Sequence, residues 1–243
     1  MKCYHWEVFP VHAGTFALDG GAMFGIIPKP LWEKNISADD KNRIPLALRT
    51  MLITNGKTNI LVDTGIGNKW TEKEIQIYKI ENWEQSLQND LKRYSLTADD
   101  IHHVILTHLH FDHAGGALKL DNEVGIVPTF RNAKYYISRK NYQWALSPSE
   151  KDTGSYLKKD FQWLLDNNKI VIYEENDPLF QGISCINSDG HTIGQKLIKV
   201  DGKRPIVFCG DVIPTQFHIP LPYIMGYDLQ PLIILEEKRN LFQ

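Results

Sequence analysis

Apolar and polar positions change period along the chain, and those changes predict its elements. Residues 4–12 and 50–63 read as strands, the second folded into a hairpin about Asn55-Gly56, a dipeptide that tolerates the positive φ values of a tight turn. Residues 81–95 carry Trp83, Leu87, Leu91 and Tyr94 at helical spacing, so they predict a helix whose aromatic and leucine stripe is core. The β-branched run from Ile101 to Leu106 predicts a buried strand that breaks into polar residues at Thr107. Helices are expected near 138–146 and 154–166, then strands at 170–174, 179–186, 195–200 and 205–210, with Asp201-Gly202 turning the last pair. Pro231 can open a final helix, because the N–H it lacks would be unpaired there anyway. Leu232, Leu235, Arg239 and Leu241-Phe242 then supply its apolar face. Strands grouped before and after helices predict an α/β fold of two β-rich halves, each covered by helices. No linker or repeat divides the chain, so residues 1–243 read as a single domain.

Composition narrows the function classes. With 42% hydrophobic residues the chain can bury a sizeable core, and a net charge of −2 gives no reason to expect nucleic acid or a membrane surface as partner. Cys3, Cys185 and Cys209 are odd in number and far apart, which implies no disulfide framework. Cys209 lies inside an apolar strand and reads as a small hydrophobe. The first ten residues lack an apolar signal-peptide core, and no apolar run is long enough to span a bilayer. A cytoplasmic protein is the expectation.

The chemistry concentrates where the strand ending at Leu106 gives way to Thr107-His108-Leu109-His110-Phe111-Asp112-His113-Ala114-Gly115-Gly116. Three imidazoles and a carboxylate fall within six residues, a density that points to a transition-metal site with two ions. Histidines at i and i+2 of an extended segment face the same side, so His108 and His110 can grip one ion while Asp112 and His113 face a second. Two later segments match this cluster. Ser188-Asp189-Gly190-His191-Thr192-Ile193-Gly194-Gln195 holds a histidine between glycines after a strand, and Ile206 to Asp211 is an apolar strand ending in Gly-Asp. Alone, the first reads as a loop and the second as a turn. Together, three strand ends each deliver a metal-ligand type.

The succession His-x-His-x-Asp-His, Gly-His-Thr and strand-Gly-Asp resembles the metallo-β-lactamase-fold hydrolases, and Asp63-Thr64-Gly65 matches an element that they carry upstream. Within that superfamily the chain is most similar to the branch of N-acyl-homoserine lactonases and methyl parathion hydrolase, to which the stretch Gly210 to Leu229, with His218-Ile219-Pro220-Leu221-Pro222, also conforms. The resemblance implies a four-layer αβ/βα sandwich of two mixed β-sheets flanked by helices. It implies His108, His110 and His191 on one metal, Asp112 and His113 on the other, and Asp211 bridging the pair. A further histidine normally completes the second site beyond the helix that follows Gly-Asp, and this sequence has none there. His218 comes too soon after Asp211 to match it and reads as a pocket residue, with a smaller claim as substitute ligand. The absent histidine and a last helix without a stop signal lead us to expect a chain truncated at its C-terminus. Asp63 is expected to orient a ligand by hydrogen bonding rather than to bind metal.

Two ions sharing a water lower its pKa from about 15.7 toward about 7 and supply hydroxide at neutral pH. Asp112 can hold that nucleophile and carry a proton to the leaving group, which makes Asp112 and Asp211 the expected catalytic carboxylates. No Gly-x-Ser-x-Gly elbow, His-Glu-x-x-His helix or phosphate-cradling Gly-x-x-x-x-Gly-Lys loop competes with this reading. The expected activity is therefore hydrolysis of an ester or lactone in a small molecule, with organophosphate triesters as a related class. Zinc is the first choice of metal, and iron or manganese also suit the ligands. An iron-dependent dioxygenase or redox enzyme of the same fold, and a metal-binding protein with lost catalysis, are the alternatives. The segment Leu18 to Ile44, with Met23, Phe24, Ile26, Ile27 and Trp32, is either a lid over the site or a surface loop pinned by hydrophobic contacts. Met23, Phe24, His218 and Tyr223 are the candidate substrate pocket, with Met225 beside Tyr223. A homodimer is left open.

Overall fold

The computed structural model describes residues 6–175 and 179–243. Cys3 and the first two residues of the expected opening strand lie outside that range. The chain starts with strand β1 (Glu7–Asp19), short helices α1 (Gly20–Phe24) and α2 (Lys29–Trp32), and strands β2 (Arg43–Thr54) and β3 (Asn59–Val62). Helices α3 (Glu72–Tyr78) and α4 (Trp83–Arg93), strand β4 (His103–Ile105) and the single turn α5 (Phe111–Ala114) follow. Next come β5 (Leu118–Asp121), β6 (Gly125–Pro128), β7 (Lys134–Ser138), α6 (Arg139–Leu146), α7 (Gln162–Asp166) and β8 (Ile170–Tyr173). Strands β9 (Ile183–Ser188), β10 (Gln195–Val200) and β11 (Ile206–Phe208) and helix α8 (Pro231–Leu241) complete the described elements.

Six strands form one mixed sheet in the order β1-β2-β3-β4-β7-β8. Its first three strands are antiparallel, and β3, β4, β7 and β8 run parallel. The β2–β3 hairpin forms as expected: the Asn55 side chain accepts from the backbone N–H of Lys57 and Thr58, and Gly56 takes φ +79°. A second sheet holds β11-β10-β9, and β5-β6 is a separate ribbon. Alternation along the strands sorts side chains into layers. Met51, Ile53, Ile60, Val62 and Ile105 meet Ile183, Ile198 and Val200 between the two sheets. Leu52, Leu61 and Val104 point the other way, into a core shared with Trp83, Leu87 and Leu91 of α4. On the far side of the second sheet Leu197 packs with Ile234 of α8. Helix, sheet, sheet, helix is the αβ/βα sandwich. The second sheet, however, is wholly antiparallel rather than mixed.

Several elements depart from the sequence reading, each for a local reason. Strand β1 runs on to Asp19 through a register shift between His12 and Thr15. Gly14 sits in that shift with φ +96°, and a Cβ there would lie 2.8 Å from Glu81 O, so only glycine lets the chain before α4 lie so close. The expected helix at 154–166 is reduced to short turns and α7: Tyr156 and Leu157 take extended backbone angles (φ −99°, ψ 99° and φ −102°, ψ 112°), and the Tyr156 hydroxyl is held by Asn141 and Thr192. The strand expected from 179 starts only at Ile183, after a turn at Gly182 with φ +79°. Strands β5, β6 and β7 and helix α3 went unread, the first two being short and only partly buried. Helix α8 forms where Pro231 predicts it, yet it buries Ile234 and Lys238 and leaves Leu232 79% exposed. Among the described residues no helix is long and apolar enough to cross a membrane.

Ile198 is fully buried between the sheets. Ile198→Ala is expected to lower stability by about 2–5 kcal/mol, measured as a shift in the urea unfolding midpoint at constant slope.

Candidate metal centre

All six side chains singled out as ligands converge. One donor atom from each of His108, His110, His191 and Asp211 lies within 4.8 Å of the others, and so do donors from Asp112, His113 and Asp211. Asp211 belongs to both groups. Its Oδ1 is 3.0 Å from His113 Nε2 and its Oδ2 is 3.2 Å from His191 Nε2. Asp112 Oδ2 is 3.6 Å from His113 Nε2.

The backbone delivers these groups from three strand ends. Strand β4 stops at Ile105, and the extended stretch after it sets the His108 and His110 rings 4.4 Å apart. Asp112 and His113 then project from α5. The chain after α5 is held by the Asp63-Thr64-Gly65 segment: the Thr64 N–H and hydroxyl both donate to His113 O at 2.8 Å, and Gly116 N donates to Gly65 O. A Cβ on Gly116 would lie 2.1 Å from Thr64 O, so the glycine pair after His113 is required by this close approach. His191 comes from the loop after β9, and Asp211 from the turn after β11.

Each ring is fixed by what its Nδ1 meets. Asp63 accepts from Thr107 N and Thr107 Oγ1 and binds His113 Nδ1, all at 2.8 Å. With the Thr107 hydroxyl committed to Asp63, its oxygen accepts from His108 Nδ1 at 3.0 Å. Asp228, 1% exposed, meets His191 Nδ1 at 3.0 Å. In all three rings an oxygen partner at Nδ1 turns Nε2 toward the cluster, whereas His110 is held by its neighbour, its Nδ1 meeting His191 Nε2 at 3.1 Å. His108 Nε2 and His110 Nε2 are buried with no hydrogen-bond partner. Such orphaned acceptors are costly unless something else satisfies them, and a cation is the partner that imidazole lone pairs and carboxylates share.

The electrostatics agree. Burial, reinforced by neighbouring imidazoles, pushes His108 and His110 well below the usual histidine range, so both rings stay neutral and able to donate a lone pair. Burial pushes Asp112 up to about 6, with Asp211 adding to the effect against His113. For Asp211 burial acts in the same direction, but His113 and His191 overcome it and hold the carboxyl well below its ordinary value. Burial alone would lower His113 and His191; the carboxylates around them win and raise both. His108 and His191 are shut in, whereas Asp112, His113 and Asp211 keep 12–17% of their side-chain surface. The cluster therefore opens to solvent on the Asp112 side. Phe111, next to Asp112 in sequence, and Tyr78, whose hydroxyl feels the Asp112 charge, lie on that side, in contact with each other and with Trp70 at 5.3–5.7 Å.

The segment between β1 and β2 resolves in favour of hydrophobic pinning: Met23, Phe24 and Trp32 are buried, and Ile26 is 85% exposed. The four candidate pocket residues do meet. His218 Nε2 donates to Met23 O at 2.8 Å, its ring stacks on Phe24 at 4.8 Å, and Tyr223 stands edge-on to Phe24. Met23, Phe24 and His218 are closed off from solvent, so of the four only Tyr223 keeps accessible surface.

Sequence reasoning missed the residues that brace the ligands. Asp228 is a lone carboxylate after Met225-Gly226-Tyr227, with no spacing to mark it. Asn141 is fully buried on α6; its Oδ1 accepts from Leu109 N, and its Nδ2 donates to Ile193 O and Tyr156 Oη. It thereby ties the loop holding His108 and His110 to the one holding His191. Tyr156 completes the tie, bonding Thr192 Oγ1 at 2.8 Å and packing its ring 4.6 Å from His110. The available signal was an amide among the apolar positions of a predicted helix.

Comparison with known proteins bears on the family and the fold that carry these residues. A family model described as the metallo-beta-lactamase superfamily matches residues 45–241. An N-acyl homoserine lactonase from a Bacillus species is 29% identical over 182 residues, covering 70% of this chain and 65% of the relative. A lactonase from Bacillus thuringiensis matches over 54% of its length, so the matched stretch spans about half to two thirds of these curated relatives. Among solved structures, a probable metal-dependent hydrolase from Staphylococcus aureus superposes with a TM-score of 0.87 at 30% identity, over 99% of this chain and 85% of that one. The dizinc quorum-quenching lactonase AidC, solved with a product, shares the fold with a TM-score of 0.76 at 20% identity, over 99% of this chain and 84% of the other.

Asp228→Ala removes the group that holds the His191 proton on Nδ1. It is expected to weaken metal binding about 10–100-fold, measured by competition against a chromophoric chelator, with the far-ultraviolet circular dichroism unchanged.

Proposed function

Because the chain belongs to the metallo-beta-lactamase superfamily, we propose that it is a metal-dependent hydrolase that cleaves lactone or ester bonds, with organophosphate triesters as a related substrate class. The observation that carries the reading is the set of imidazoles locked with Nε2 inward around two carboxylates. In this reading His108, His110 and His191 would hold one divalent ion and Asp112 and His113 another, with Asp211 belonging to both donor sets. Zinc is the first candidate for a mixed imidazole and carboxylate set. Such ions, when bound, supply hydroxide at neutral pH and polarise the oxygen that gains charge.

The chain's own groups do the rest. Asp112 stands on the open side of the cluster, where its carboxylate can take a proton from the attacking water and pass it to the leaving oxygen. Asp63 and Asp228 keep the His113 and His191 rings from turning while charge develops beside them. The Phe111, Trp70 and Tyr78 rings give the approach an apolar border, which favours a small neutral substrate over a phosphorylated one. The lactonase relatives support lactones as the first substrates to test.

The test is elemental analysis of zinc-loaded protein followed by a panel of lactones, aryl esters and phosphotriesters. Two ions per chain and turnover of at least one lactone or ester are expected. Chelation should abolish turnover and zinc should restore it, and His110→Ala should lose metal and activity together. Turnover by metal-free protein, or none by protein holding two ions, would overturn the assignment.

A further inference from the structure

Helix α8 reaches the site with two consecutive side chains. Glu237 Oε1 accepts from the backbone N–H of Asp189 at 2.9 Å and Gly190 at 3.3 Å, and its Oε2 accepts from Ser188 Oγ at 2.8 Å. These bonds fix the loop that presents His191. Lys238 turns to the other side and is fully buried. Its ammonium donates to the carbonyls of His218 at 2.5 Å, Pro220 at 2.8 Å, Tyr223 at 3.1 Å and Leu221 at 3.4 Å.

The stretch that Lys238 gathers is strung between Asp211 and Asp228, the two carboxylates that touch His191. It contains Pro220 and Pro222 and belongs to no strand, so its carbonyls need a donor from elsewhere. It is also latched to the segment after β1, since His218 bridges Thr215 Oγ1 and Met23 O, each at 2.8 Å. It lies beside the cluster, near enough for the Asp228 and Asp211 charges to act on the His218 ring, and it carries Ile219, 50% exposed, and half-buried Tyr223. No carboxylate lies within ion-pair distance of Lys238 among the described residues. A buried ammonium without a contacting anion is a poor way to stabilise a fold, and an apolar side chain of similar volume would pack as well or better. What the ammonium adds is a common donor that sets four backbone carbonyls at fixed positions.

We propose that Lys238 is a positioning residue for substrate discrimination: it shapes the His218–Tyr223 wall of the site, while Glu237 separately holds the His191 loop. The kinetic part rests on the hydrolase reading above. In zinc-loaded protein, Lys238→Met should keep the metal content of the wild type. It should raise KM for a γ-lactone bearing a bulky apolar side chain by about tenfold relative to a small γ-lactone, with kcat falling much less. Amide hydrogen exchange should quicken across residues 216–226 and stay unchanged at 188–192. Glu237→Gln should give the converse: faster exchange at 188–192 and weaker metal binding, with the ratio between the two lactones preserved. Should Lys238→Met fail to fold, Thr215→Val unlatches His218 from the same wall and should shift the lactone ratio in the same direction. An unchanged lactone ratio, or unchanged exchange at 216–226, in an active Lys238→Met protein would overturn the proposal while leaving the hydrolase reading intact. Absence of turnover by the wild type would instead overturn the hydrolase reading and the discrimination role with it, and the exchange data would then report on the wall alone.

Discussion

The carboxylate of Asp63 is the contact on which the site depends. It receives the backbone and hydroxyl of Thr107 at the end of β4 and the Nδ1 of His113 from α5. Through Thr107 it also governs His108, because the threonine hydroxyl can accept from that ring only once its own proton is committed to Asp63. One buried carboxylate thus sets the orientation of two imidazoles facing opposite parts of the cluster. Asp63 itself takes φ +60°, a conformation that aspartate tolerates better than most residues. It stands immediately after β3, next to β4 in the parallel part of the large sheet, so sheet pairing fixes where the carboxylate must be.

Around that contact the site is assembled by ties between loops rather than by the ligands themselves. Asn141 joins the loop of His108 and His110 to the loop of His191, Asp228 closes on His191 from the far side, and α8 grips both neighbours of the cluster with Glu237 and Lys238. These ties are polar and buried, which makes them directional and costly to break. One hydrogen bond joins the rings directly, between His110 Nδ1 and His191 Nε2 at 3.1 Å, while His108 Nε2 and His110 Nε2 are left with no partner among the described residues. The ties leave open the side where Asp112, His113 and Asp211 retain surface.

The layered architecture and this asymmetry have a common origin. Two sheets packed face to face put their strand ends along one edge, and β3, β4, β9 and β11 each end there with a loop that carries a polar group. Helices on the outer faces cover apolar surface, and α8 additionally sends polar side chains back toward that edge. The fold therefore supplies a rigid frame, and the loops supply the chemistry.

Local sequence determined the strand that leads into the ligand cluster, the Asn55-Gly56 hairpin, the helix with the Trp83, Leu87 and Leu91 stripe, and the four donors from His108 to His113. Each of these is written in near-neighbour spacing: period two, period three to four, or a dense run of ligand types at a strand end. His191 and Asp211 became legible as ligands only through the family resemblance. Tertiary structure alone decided where the helix after Gly154 breaks, at Tyr156 and Leu157, where the Tyr156 hydroxyl is held by Asn141 and Thr192 from other elements. It also decided which face of α8 is buried, since Lys238 is accepted inside only where four carbonyls from another loop await it. Asp228, Asn141 and Tyr156 were illegible for the same reason. A residue whose role is to hold another in place has no periodicity of its own, and its meaning exists only once the chain has brought the two together.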